Sequence, residues 1–320
     1  MATPLAIDDA SLAKPSGQTG DTVARLLTMI FAATILLVTL LLVFKLWDGS
    51  VLSRHKFGLG FLWSSQWNPV TEEFGALPFI YGTLVTSAVA LFISVPVGLG
   101  AAIFLSEMAP AKISNALTFL IELLAAIPSV IYGLLAIFTV VPLMRLYVEP
   151  FLKTTLGFLP LFQGPVYGVD FLTAGLVVSI MTVPFIISVS RESLLAVPRE
   201  QREAALALGA TRWETTWQVV VPYAKLGILG SVFLALARAL GETMAVTMVV
   251  GNDPKIHASL LAPGYSIAAV IANEFSEATG DLYQSALIEL GLVLFCLTII
   301  INAAARLMIL ATTRKGSKRV

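Results

Sequence analysis

Two side chains in an otherwise apolar stretch could do chemistry together. Arg238 and Glu242 stand in Leu234-Ala235-Leu236-Ala237-Arg238-Ala239-Leu240-Gly241-Glu242-Thr243-Met244. A guanidinium offers a planar fork of N–H donors that matches the oxygens of a tetrahedral oxyanion, and it stays charged at any relevant pH. Spacing of four places both side chains on one face of a helix, where they can pair. A carboxylate in that position would hold the arginine in place and weaken anion capture, so that a bound anion could leave again. It could also accept a hydrogen bond from a P–OH group, which fully ionised sulfate does not have. The other reading is a structural ion pair that locks helix packing.

No other constellation points to covalent chemistry. His55 and His257 stand alone, no metal-ligand cluster is visible, and no nucleophile lies in register with a base. The phosphate-cradling pattern G-x-x-x-x-G-K-[ST] is absent, so the chain is not expected to bind and hydrolyse a nucleotide in the usual way. No catalytic residue, metal or cofactor of its own is therefore expected. The single cysteine, Cys296, excludes an intramolecular disulfide framework and reads as a small buried apolar side chain. Glu107 reads as interfacial at a helix end, and Glu122 and Glu289 as packed polar contacts; none is given a role in moving a solute.

The elements that position Arg238 and Glu242 must cross a membrane. Of 320 residues, 57% are hydrophobic and only 12% charged, too little charge to cover a soluble domain of this size. The apolar residues fall in blocks long enough to span a bilayer, which takes roughly 20 residues per helix. The expected spans are 24–46, 79–105, 115–145, 170–190, 226–250 and 283–311. The fold class is thus all-α, a polytopic membrane protein with six transmembrane helices. Pro96 and Pro184 should kink the second and fourth spans, and the long third span should bend at Pro128. On a 226–250 span, a rise of roughly 1.5 Å per residue puts Arg238 near the bilayer midplane. A lipid-facing arginine there costs roughly 2.5 kcal/mol or more, so it must face protein or a water-lined interior.

Residues 1–23 are polar and read as an N-terminal tail, 24–311 as the transmembrane domain, and 312–320 as a basic C-terminal tail. The run from Leu26 to Phe44 is too long for the core of a cleaved signal peptide and reads as a helix that stays. Lys and Arg concentrate in alternate connections: Lys112, then Arg191, Arg199, Arg202, Arg212 and Lys225, then Arg306 to Arg319. That bias predicts both termini on the cytoplasmic side. Trp47 suits an interfacial anchor, and the loop 47–78 is expected to form a small outer cap. Formal net charge is zero, which gives no sign of a nucleic-acid partner, and none is expected.

The segment 191–225 predicts a helix, a glycine turn and a second helix at the inner face. Pro198 suits a first turn, Arg199 to Leu208 has strong helix propensity, and Gly209 falls where a left-handed residue would end the helix. Thr211 and Glu214 have capping-box spacing for a short second helix carrying Trp213 and Trp217, which Pro222 should stop or bend. Such a pair could dock in a groove of another protein or rest on lipid.

Glu203-Ala204-Ala205, then Gly209, then Val219-x-Val221-Pro222 is similar to the EAA loop of ABC importer permeases. In that family the loop is the coupling element that seats in the ATPase subunit; Val221 stands where leucine is common. Further segments resemble the permease subunits of bacterial phosphate-specific ABC importers, of the type I importer fold. They are Tyr81-Gly82-Thr83-Leu84-Val85-Thr86-Ser87, Glu122-Leu123-Leu124-Ala125-Ala126-Ile127-Pro128-Ser129, Arg238 through Thr247, and Ala272-Asn273-Glu274-Phe275. The resemblance implies a chain in the bacterial inner membrane working with a second, PstA-like permease, a PstB-like ATPase dimer that holds ATP and Mg, and a PstS-like phosphate-binding protein. It places Arg238 and Glu242 in the passage of inorganic phosphate, Glu203, Ala204, Ala205 and Gly209 in ATPase coupling, and the outer segment 251–282 in docking the binding protein. The alternatives are a permease for molybdate or tungstate, a self-contained secondary transporter or channel, and a membrane-embedded enzyme. Against the self-contained transporter are the EAA-like loop and the lack of visible inverted repeats.

Overall fold

A computed structural model describes residues 18–316, with side chains described for 20–307. The tails expected at 1–23 and 312–320 lie wholly or largely outside these residues. Among the described residues, six helices are long and apolar enough to cross a membrane: α1 (Gln18–Gly49), α4 (Leu77–Met108), α6 (Ser129–Leu156), α7 (Phe171–Leu195), α9 (Arg212–Gly241) and α12 (Asp281–Gly316). Between them lie the shorter helices α2 (Val51–Phe57), α3 (Gly60–Trp63), α5 (Ala111–Ala125), α8 (Arg199–Ala207), α10 (Met244–Val249) and α11 (Ile267–Glu274). No strand occurs among the described residues.

Helix α1 belongs to a unit of its own through Asp48. It is apolar around its circumference, with Phe31, Leu36 and Leu40 all exposed, as a helix meant for lipid should be. In the second unit, α7 is the most enclosed span, and α4 and α9 pack against it. Pro184 is buried within α7. Pro96 is exposed on α4, while Ser94 and Gly98 of the same helix turn inward.

Two expected spans are corrected. The third does not run over 115–145 with a bend. Helix α5 ends at Ala125, Pro128 adopts extended backbone (φ −59, ψ 142), and the crossing helix starts at Ser129. Extended backbone before Ser129 leaves α5 as a separate helix, and the span gains its missing length beyond residue 145. The fifth span runs not over 226–250 but over Arg212–Gly241. Pro222 neither stops nor ends it, because the turn just before, Thr216–Val220, is a wide π-helical turn. Such a turn opens the backbone where proline supplies no amide and would crowd the preceding carbonyl. Cys296, expected to be buried, is exposed on α12.

The segment 49–77 folds over one end of the second unit. Trp67 sits edge-on to Phe74 and Phe79, at ring-centroid distances of 4.9 and 4.8 Å. Its indole N–H donates to Glu274 Oε2 at 2.8 Å, and Tyr283 O–H donates to the same oxygen at 2.6 Å. A buried indole needs such a partner.

Candidate functional site

Helix α9 begins with a capping box. Thr211 Oγ1 accepts from the Glu214 amide at 3.2 Å, and Glu214 Oε2 accepts from the Thr211 amide at 2.8 Å. These bonds satisfy donors that the first turn would leave unpaired. Arg238 lies one turn before the other end. The helix stops at Gly241, Glu242 adopts extended backbone (φ −69, ψ 125), and α10 starts afresh at Met244.

That break changes the expected relation between the two charged residues. Arg238 and Glu242 do not share a helix face, and no ion pair joins them among the described residues. Nor does Arg238 lie midway along its helix, as a 226–250 span required. Glu242 Oε1 instead accepts from the Ala245 amide at 3.3 Å, in the first turn of α10. A carboxylate is favourable there because the N-terminal amides of a helix point toward it.

Arg238 has a different neighbour. Its guanidinium carbon lies 4.4 Å from the ring centroid of Phe185 on α7. The side chain is half-buried, and its Nε is fully buried with no hydrogen-bond partner. A cation over an aromatic face is held by the ring quadrupole, and that attraction uses none of the N–H donors. Tyr132 of α6 lies within the electrostatic reach of Arg238 and donates its own O–H to the Leu124 carbonyl at 2.8 Å, tying together the two sides of the Pro128 break. Helix α6 meets α10 at Gly133, where a Cβ would come within 2.5 Å of Met248 Sδ and 3.1 Å of Ala245 Cα. Two interrupted helices therefore pack against each other beside the arginine.

The chain from Gly251 to Glu274 is fastened to α4 through Tyr81-Gly82-Thr83. Tyr81 O–H donates to the His257 carbonyl at 2.7 Å, and Thr83 Oγ1 accepts from the Ile267 amide at 3.0 Å. Between them, a Cβ at Gly82 would collide with the Tyr265 carbonyl at 2.0 Å, so only glycine permits this approach. Burial pushes the Tyr265 phenol up to about 12, and its oxygen accepts from Asn273 Nδ2 at 3.0 Å. Within the outer segment expected at 251–282, the residues from Leu261 to Val270 are mostly core, with Leu261, Ile267, Ala269 and Val270 fully buried. The exposed residues fall between Gly251 and Ala258, at Ala272, and between Phe275 and Asp281.

At the opposite end of α7 and α9 lies the helix pair. Pro198 precedes α8, and Gly209 takes φ +90 with open space around it, so its glycine serves backbone conformation rather than packing. The Ala210 amide closes the helix end on the Ala205 carbonyl at 3.2 Å. Glu203 and Ala204 are exposed, Ala205 is half-buried, and Leu208 is 90% exposed beside the exposed Leu206. The second helix of the pair is not short, since it continues without interruption into the fifth span. Beneath it, Val220, Ala224 and Ile228 pack with Ala102, Ile103, Leu194 and Val197 in a small core that joins the ends of α4, α7 and α9.

Sequence reasoning passed over one contact here. Arg202 of α8 forks onto Glu107 of α4, with Nε to Oε2 at 3.2 Å and Nη2 to Oε1 at 2.9 Å. It also donates to the carbonyls of Leu194 and Val197. Opposite charge in both segments was the available signal, but nothing local pairs residues so far apart in sequence.

A family model for binding-protein-dependent transport system inner membrane components matches residues 94–313. The chain is 48% identical over 285 residues to the phosphate transport system permease protein PstC of Mesorhizobium japonicum, covering 87% of each chain. It is 49% identical over 274 residues to that of Xylella fastidiosa, covering 84% of each. A probable PstC of Methanocaldococcus jannaschii is 37% identical over 75% of this chain and 77% of its own. Among solved structures, a chain of a bacterial alginate ABC transporter superposes with a TM-score of 0.59 at 16% identity, covering 91% of this chain and 96% of that one. An inward-facing MetNI methionine ABC transporter chain gives 0.53 at 17% identity, covering 77% and 99%. These two show likeness of fold.

Proposed function

Because this chain belongs to the binding-protein-dependent transport system inner membrane components, and among them to the PstC phosphate-transport permeases, it is a permease subunit of a phosphate ABC importer, and we propose that Arg238 is the residue that meets the anion in transit. The observation that carries this role is the buried Nε of Arg238, a cation held over Phe185 with donors still unspent. Among the described residues no carboxylate pairs with Arg238, and an unpaired guanidinium withdrawn from water is a costly arrangement unless an anion visits it. The names of the relatives favour phosphate over molybdate or tungstate.

Glu242 has a narrower part. One of its oxygens caps α10, and the carboxylate can take a hydrogen bond from a P–OH group while repelling a fully ionised anion. Arg238 and Glu242 thus flank the break between α9 and α10 as attraction and discrimination, not as a pair that neutralises itself.

The exposed surface of α8, with Glu203, Ala204, Leu206 and Leu208, together with half-buried Ala205 and the turn at Gly209, seats in an ATPase subunit. That places α8 and both termini on the cytoplasmic side of the bacterial inner membrane. The working unit adds a second, PstA-like permease, a PstB-like ATPase dimer carrying ATP and Mg, and a PstS-like binding protein that meets the exposed parts of 251–282. Hydrolysis takes place on the ATPase, and this chain shapes half of the path.

The test is co-purification from detergent. An ATPase should accompany the chain, and its turnover in liposomes should rise when phosphate-loaded binding protein is added. A chain that moves phosphate without any ATPase would overturn this reading in favour of a self-contained transporter.

A further inference from the structure

Helix α8 buries no side chain completely, and among the described residues every side-chain hydrogen bond or ion pair from α8 to the spans is made by Arg202. Its three nitrogens reach acceptors on two different elements. Nε and Nη2 take the Glu107 carboxylate in the last turn of α4, Nη2 also takes the Leu194 carbonyl at 2.7 Å, and Nη1 takes the Val197 carbonyl where α7 ends. The pair is largely withdrawn from solvent, with side-chain exposures of 20% and 12%. A carboxylate in the last turn of α4 is disfavoured by the helix dipole, and the Leu194 carbonyl, which takes the Val197 amide at 3.2 Å, is denied an i+4 amide by Pro198. One guanidinium answers both needs, and a single ammonium has no fork with which to do so.

We propose that Arg202 is a positioning residue that transmits movement of the coupling helix α8 to the ends of α4 and α7, and through α7 to the contact between Phe185 and Arg238. The inference rests on α8 being the element that docks on the ATPase. From Leu194 to Phe185 the connection is one continuous helix, about 13 Å at the usual rise per residue. A displacement of α8 pulls on α7 through Arg202 and shifts the ring that holds the arginine. Without the fork, α8 remains joined to α7 only by the Ala196–Pro198 link and can swing without moving the span.

The experiment uses the whole complex, with both permeases, the ATPase and the binding protein in liposomes, and reads phosphate uptake and ATP hydrolysis in the same vesicles. A merely structural role for Arg202 lowers both rates together and leaves their ratio unchanged. A transmitting role lowers the ratio. For Arg202→Gln the expected result is retained ATPase and hydrolysis with phosphate taken up per ATP down about tenfold, and for Arg202→Lys a partial recovery. A wild-type ratio in Arg202→Gln overturns the inference. If that variant does not assemble, Glu107→Gln, which is isosteric, takes its place with an expected fall of about threefold, and a wild-type ratio there overturns it equally. Failure of the underlying reading looks different: the unsubstituted complex would show no hydrolysis responding to phosphate-loaded binding protein, and this inference would fall with it.

Discussion

The guanidinium of Arg238 lies over the ring of Phe185 at 4.4 Å, and not against the carboxylate of Glu242 four residues on. Helix α7 therefore supplies the arginine's counterpart, and that counterpart holds the cation without neutralising it. An anion arriving at Arg238 need not displace a carboxylate. This separates holding the arginine from releasing the anion, two tasks that a single ion pair would have combined.

Phe185→Leu tests that division. Leucine keeps an apolar side chain and removes the ring quadrupole, a contact of roughly 0.7 kcal/mol at a partly buried site. Phosphate uptake in reconstituted vesicles should fall about threefold, the rate equivalent of that energy, while the ATPase still co-purifies. Uptake equal to the unsubstituted protein would show that the ring does not hold the arginine.

Glu242→Gln should relax discrimination. The amide can still accept from Ala245, so α10 keeps its start, but the negative charge that disfavours a fully ionised anion is gone. Sulfate should then compete with phosphate for uptake into vesicles more strongly than in the unsubstituted protein. Unchanged competition would remove Glu242 from selectivity.

Gly133→Val should destabilise the meeting of α6 and α10. Met248 can move its sulfur aside, but Ala245 Cα at 3.1 Å is backbone and cannot. Overpacking of this kind costs about 1–3 kcal/mol, which should appear as a lower Tm in detergent. Gly133→Ala should lose less. An unaltered Tm in the valine variant would contradict the close approach described here.

Thr211→Ala removes one half of the capping box and should cost about 1 kcal/mol of local stability. Hydrogen exchange is the suitable readout, because the loss should appear as faster exchange at the amides from Arg212 to Trp217 and leave those of α7 unchanged. Equal protection throughout would mean that the cap contributes nothing.

What was legible in the sequence is what is local. The capping box at Thr211 and Glu214 and the glycine turn at Gly209 depend on neighbours within a few residues, and both are found as expected. Six apolar blocks translate into six spans because length and composition decide that question. The breaks were harder. Nothing between Gly241 and Met244 forbids helix, and the interruption there is accompanied by α6 packing on α10 at Gly133. Pro222 misled in the other direction, since the π-helical turn before it lets the helix continue. The contacts Arg202–Glu107 and Arg238–Phe185 join residues far apart in the chain, and no periodicity carries such pairings. By contrast, Tyr81-Gly82-Thr83 was visible as a motif, but only the fold reveals that it fastens the 251–274 segment to α4.

Phosphate uptake by vesicles carrying Arg238→Lys, with the ATPase and binding protein present, bears most directly on the role given to Arg238. Lysine keeps the positive charge and loses the planar fork, so uptake should fall about tenfold or more while the complex stays assembled. Full uptake by Arg238→Lys would contradict the account, because the geometry of the guanidinium would then be irrelevant to the passage of the anion.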